Sequence, residues 1–111
     1  MKYKYGNYSD EQVENYKKKL HKKMFWLILY KDPQTKNEYP DVDFDRYFKS
    51  LMKEINGLND LFGRPPEIIE IMALLQAAYT ETQRDIFSYS AYRKFVLDAH
   101  ALVDQINNKE A

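Results

Sequence analysis

An all-α protein, an antiparallel four-helix bundle forming a single domain, is the fold class this sequence predicts. Three observations carry that expectation. Apolar residues recur at three- and four-residue spacing in four separate stretches. Residues that start and stop helices bracket those stretches. Most of the connections between them are short, as antiparallel neighbours require. At 111 residues the chain can bury roughly two-thirds of its unfolded surface around one core.

The first helix is expected from about residue 10 to 31, behind an aromatic and basic lead at 1–8. Ser9 with Gln12 makes a capping box, and Asp10 and Glu11 stand in the first turn, where the helix dipole favours negative charge. Val13, Tyr16, Leu20, Met24 and Leu27 form the core stripe, and Pro33 lies beyond the end. Met24–Tyr30 is an unbroken apolar run, so it encircles the helix instead of striping it. Met24 and Leu27 continue the stripe, Ile28 and Tyr30 flank it, and Phe25, Trp26 and Leu29 point away.

Residues 32–40 read as a loop. A second helix, about 43–62, is capped by Asp41 or Asp43 and buries Phe44, Tyr47, Phe48, Leu51, Ile55, Leu58 and Phe62. Gly57 weakens it internally and Gly63 stops it. Pro65-Pro66 opens the third helix, about 66–83, with Ile68, Ile71, Met72, Leu75, Ala78 and Tyr79 on one face. Ile69, Ala73, Leu74 and Ala77 make its other side apolar too, so it is expected to be the most buried helix. A connection at 85–88, with Ser88 or Ser90 as cap, leads to the fourth helix, about 89–107. Tyr92, Phe95, Val96, Ala99, Leu102, Val103 and Ile106 form its apolar face.

Charge is balanced overall but divided along the chain. Residues 1–36 hold nine lysines against Asp10, Glu11, Glu14 and Asp32, and the remainder carries the opposite imbalance. Attraction between the two halves within the bundle is the simplest use of that division. The absence of cysteine excludes a disulfide framework and thiol chemistry. No signal peptide is visible and Met24–Tyr30 is far too short to span a bilayer, so a cytoplasmic location is expected. The abundance of Lys, Tyr and Asn fits an A/T-rich genome, a low-GC bacterium or its phages.

The chemistry-bearing residues are sparse. Two histidines without Glu-x-x-His spacing disfavour a metal centre, and no cofactor is expected. Asp41, Asp43 and Asp45 alternate like the start of a calcium loop but lack its glycine and closing glutamate. Glu67 and Glu70 suit the dipole of a helix start, and with Glu81 and Asp85 they are too dispersed for magnesium-dependent nucleotide hydrolysis, the least remote enzymatic option. His100 and Asp104, one turn apart, fit an exposed helical ion pair, and His21 among lysines fits the surface. No glycine-rich phosphate loop exists, so a non-catalytic protein is expected. The stretch 77–94 does not read as a helix-turn-helix, because its turn is long and lacks glycine.

Two surfaces remain. Phe25, Trp26 and Leu29 follow Lys18 and Lys22 on the side of the first helix opposite its core stripe. Unless another element covers them, they make an apolar patch rimmed by lysine, the composition of a surface for a protein partner or a second copy. Cover by the third helix, the 32–40 loop or Tyr3, Tyr5 and Tyr8 is the alternative. The other surface is the basic cluster Lys17–Lys23, where Lys18, Lys19, Lys22 and Lys23 could engage a nucleic acid beside aromatic rings. A small-molecule substrate or a membrane is not indicated.

Overall fold

The computed structural model describes residues 2–3, 6–7, 10–33 and 43–106. Two short strands, β1 (Lys2–Tyr3) and β2 (Gly6–Asn7), pair antiparallel with Lys2 opposite Asn7. The helices are α1 (Asp10–Lys31), α2 (Phe44–Leu61), α3 (Pro66–Thr82) and α4 (Tyr89–Val103). Ser9, most of the 32–40 loop, Asp41 and Asn107 lie outside the described residues.

Cap chemistry accounts for the observed ends. The Asp43 carboxylate accepts from the Arg46 amide at 3.0 Å, and the Ser88 hydroxyl accepts from the Ala91 amide at 3.2 Å. Pro66 occupies the first position of α3, where a missing N–H costs nothing. Gly63 turns out of α2 at φ 80°, and Arg64 follows at φ 58°, a left-handed conformation that non-glycine residues seldom adopt. The expected extension of α4 to 107 is not seen. After Val103 the amides of Gln105 and Ile106 bond three residues back, to Leu102 and Val103, so the last turn tightens out of the α-helix.

The four helices run alternately up and down. Along α1 and α4, Lys17 meets Asp104, His21 meets His100 and Leu27 meets Tyr92, the falling register of an antiparallel pair. Along α1 and α2, Tyr16 meets Phe62 and Tyr30 meets Tyr47. One core joins all four helices: Leu20, Met24 and Leu27 from α1; Phe48, Leu51 and Ile55 from α2; Ile68, Ile71 and Leu75 from α3; Tyr92, Val96 and Ala99 from α4.

The helix expected to be the most buried, α3, is covered unevenly, with Leu74 and Ala77 half-buried. Its Ile68, Ile71, Leu75 and Ala78 face is sealed, but Ile69 is 52% exposed and Ala73 is exposed as well. α3 contacts α2 and α4 but sits diagonally from α1, so no third helix reaches its outer side.

The turn from α3 to α4 is built on a buried acid. Glu81 has only 5% of its surface exposed, and its carboxylate accepts from the Ser88 amide at 2.9 Å and from Arg84 at 3.0 Å. The Ser88 amide above all, with Arg84 adding to it, holds Glu81 below the usual carboxylate range against the opposing effect of burial. A depressed acid stabilises the fold above its ordinary titration range and loses that contribution as pH falls through the lowered value. Glu81→Gln should therefore lower the melting temperature at neutral pH, and the gap from the wild type should close in acid. In the core, Leu75→Ala should cost about 2–5 kcal/mol by denaturant titration.

Candidate functional site

The apolar run of α1 is divided as the helical period requires. Met24 and Leu27 have no exposed surface and Ile28 is 6% exposed. Phe25 stands out at 53% exposed, while Trp26 and Leu29 are half-buried. The Trp26 ring stacks on Tyr30, one turn on, with centroids 5.5 Å apart. Tyr30 in turn meets Tyr47 of α2 edge-on at 5.3 Å. The structure thus separates the three residues grouped by sequence. Phe25 lies toward the α4 side of α1, and Trp26 lies toward the α2 side, in a file of aromatic rings. The side chains of Tyr3, Tyr5 and Tyr8 and the segment 34–40 lie outside the described residues.

The basic cluster is divided in the same way. Lys18, Lys19 and Lys22 are exposed. Lys23 is ion-paired with Glu54 of α2, and its backbone carbonyl accepts from the Tyr47 hydroxyl at 2.9 Å. Burial first, then Tyr30 and Glu54, pushes the Tyr47 phenol up to about 12. Lys17 is buried at 6% exposure, its ammonium 3.4 Å from both the Asp104 carbonyl and the Glu14 carboxylate. Of the four lysines expected to meet a nucleic acid, Lys23 is therefore committed to the α1–α2 seam, and Lys18, Lys19 and Lys22 face outward.

His21 does not lie at the surface among the lysines. It is half-buried, its ring stacked on His100 of α4 with centroids 4.1 Å apart and planes 28° apart. Its Nε2 lies 3.1 Å from the His100 carbonyl and 3.4 Å from the Asp104 carboxylate. The isolated His100–Asp104 pair expected on α4 is thus replaced by a seam between two helices, made of Glu14, Lys17, His21, His100 and Asp104. Spacing within α4 could suggest Asp104 as a partner for His100, but only the α1–α4 register brings in His21. Stacked rings do not direct their nitrogens at one point. Among the described residues no group of three or more His, Asp or Glu side chains could hold a metal ion. No helix among them is long and apolar enough to cross a membrane.

One further surface was not foreseen. Arg46, Lys49, Ser50 and Lys53, with Asp43 and Asp45, line an open hollow of about 530 Å³ on the outer side of α2. The spacing 46, 49, 53 could have shown three cations on one helical face; what it could not show is which side of the bundle that face occupies.

Comparison with known proteins adds one weak likeness. The chain is 25% identical over 100 residues to a protein named HTH-type transcriptional regulator Hpr from Lysinibacillus sphaericus (strain C3-41). The match covers 78% of this chain and 54% of that protein, so the chain spans about half the length of the curated relative it matches. No family model and no solved structure matches.

The histidine seam has a measurable consequence. Burial, then the neighbouring His21, lowers the His100 pKa below its ordinary 6.5, while Asp104 opposes the shift. Between that depressed value and 6.5 the unfolded chain binds the proton more readily, so stability should fall as pH drops through this window. Chemical denaturation between pH 7.5 and 5 should show that slope, and His100→Gln should flatten it.

Proposed function

We propose that this chain is a non-catalytic protein-interaction module that works through the outer side of α1. The observation that carries the reading is Phe25, a large apolar side chain 53% exposed on a well-packed helix. Lys18 and Lys22 flank it, and neither makes an ion pair with a described residue. Leu97 of α4, 36% exposed, lies on the same side of the histidine seam, with Arg93 one turn away. An apolar centre bordered by cations complements a partner helix whose apolar residues are flanked by Asp or Glu. Leu29, half-buried beside Phe25, extends the patch, and Trp26 borders it.

The test separates binding from folding. Once a partner has been captured from the native host and purified, Phe25→Asp should weaken its binding at least tenfold by calorimetry. The same variant should keep its melting temperature within about 2 °C, since exposed substitutions seldom move stability beyond about 0.5 kcal/mol. Unchanged binding would sink the proposal, and a lost unfolding transition would show Phe25 to be core.

A second reading, contact with nucleic acid, is supported by the likeness to a protein named as an HTH-type regulator and by the outward-facing Lys18, Lys19 and Lys22. The geometry of a recognition helix is not the support for it. The four-residue turn 62–65, which contains Gly63, has the length found in helix-turn-helix units. The helix after it, α3, carries Glu67, Glu70 and Glu81 and no Lys or Arg, a poor match for a phosphate-lined groove. Any such contact falls to α1 and its neighbours.

A further inference from the structure

The complement that the α1 face calls for, an apolar helix bordered by acids, is present on the far side of the same molecule. The outer side of α3 shows Ile69, 52% exposed, with Ala73 exposed one turn on and Ala77 half-buried a turn further. The helix carries Glu67, Glu70 and Glu81 and no Lys or Arg. Two contacts fix its edges. Tyr79 stacks on Phe48 of α2, and the Glu81 carboxylate accepts from the Ser88 amide ahead of α4. Glu70 precedes Glu81 by eleven residues, about 20° of helical rotation, so it borders the α4 edge. Glu81 is buried and Glu67 is half-buried, whereas Glu70 is exposed and makes no ion pair with a described residue. On the α2 edge Lys49 shares a hollow with Gln76 and Tyr79, and Asp45 stands one turn before it on α2.

The α1 face has the opposite sign. Phe25 is bordered by Lys18 and Lys22 and, across the histidine seam, by Leu97 and Arg93 of α4. None of the three cations makes an ion pair with a described residue. Since α3 packs on α2 and α4 and lies diagonally from α1, the two faces look away from each other and cannot meet within one molecule. They can meet between molecules. The formal net charge of zero leaves copies of the chain without a net repulsion to overcome.

We infer that the Phe25 face of α1 docks head to tail on the outer side of α3 of a second copy of this chain. The inference rests on the protein-interaction reading above and names its partner. At Ala73 and Ala77 the side chains are single methyl groups, so a ring can approach the α3 backbone closely beside Ile69. The cations around Phe25 then lie toward the acidic start of α3. Each such contact leaves one α1 face and one α3 face unused on opposite sides of the pair. The contact is heterologous and does not close at two copies, so assembly continues past the dimer. A contact made by little more than one helix face falls below about 1,200 Å², the class of weak complexes.

Sedimentation velocity of the whole protein at low salt, from about 10 μM to 1 mM, covers the affinities of that class. The average mass should rise with concentration beyond that of a dimer, and added salt should reduce it. Phe25→Asp and Ile69→Asp should each weaken association about tenfold or more while keeping the unfolding transition. Glu70→Lys should weaken it as well. Mixed in equal amounts, the Phe25→Asp and Ile69→Asp variants should form a dimer that grows no further, because each supplies the face that the other lacks. A wild type that stays monomeric or stops at a dimer would overturn the inference, and the interaction reading would then rest on the captured partner alone. Association of Ile69→Asp like the wild type, or no dimer from the mixed variants, would also overturn it. Phe25→Asp that both self-associates and binds the captured partner undiminished would overturn the inference and the reading together.

Discussion

A tyrosine with no exposed surface must place its hydroxyl on an acceptor, and Tyr92 places its own on the Leu27 carbonyl at 2.6 Å. That bond joins the middle of the apolar run of α1 to the first turn of α4. Around the same ring stand Phe44 at the start of α2, Phe87 in the α3–α4 turn and Tyr89, with centroids 5.8–6.3 Å away. Burial raises the Tyr92 pKa, so the hydroxyl remains a donor across the ordinary pH range. One side chain thereby ties together the start of α2, the start of α4 and the end of α1. The rotation of α1 about its own axis follows from this contact, and with it the direction in which Phe25, Lys18 and Lys22 point.

Polar groups occupy the seams between helices and leave the core apolar. Lys17 reaches the last turn of α4, where it answers the carbonyl end of the helix dipole and the Asp104 backbone. The His21–His100 stack continues that seam, and Lys23 with Glu54 closes the one between α1 and α2. A buried or half-buried charge is tolerable only with such partners. Among these contacts Lys23 with Glu54 joins the basic first helix to an acid of the remainder, whereas Lys17 meets Glu14 of its own helix and a backbone carbonyl. They draw Lys17 and Lys23 inward and so divide the lysine cluster between bundle assembly and solvent.

What α1 leaves outward has two distinct chemical characters. Toward α4 it shows an aromatic ring bordered by cations, the composition of a protein interface. Toward α2 it shows exposed Lys19 and Lys22 beside a seam that Lys23 and Glu54 close. A long helix at the edge of a bundle can present both, because its exposed arc is wide and its neighbours on the two sides differ. The α3 helix is the contrast. Its outer side is almost uncharged around Ile69 and Ala73, and its acids lie near its ends, so it offers neither character.

The helices, their caps and the identity of the core face were legible in the sequence because each depends on residues within a turn or two of one another. The 3.6-residue period sorts Met24 and Leu27 from Phe25, and Asp43, Ser88 and Pro66 mark helix starts through local hydrogen bonds and a fixed φ. Which helix lies beside which depends on packing and on partners some thirty to ninety residues away. No local pattern placed His21 against His100, buried Glu81 under the α3–α4 turn, or set Tyr30 against Tyr47. The outer side of α3 makes the same point: its apolar residues show in the sequence, but only the arrangement of the other helices decides that Leu74 and Ala77 are partly covered and Ile69 and Ala73 are not. The sequence by itself determined four amphipathic helices and the side on which each is buried. The tertiary structure alone decided how they are rotated and paired, because surface composition is assembled from side chains that the chain brings together only when it closes on itself.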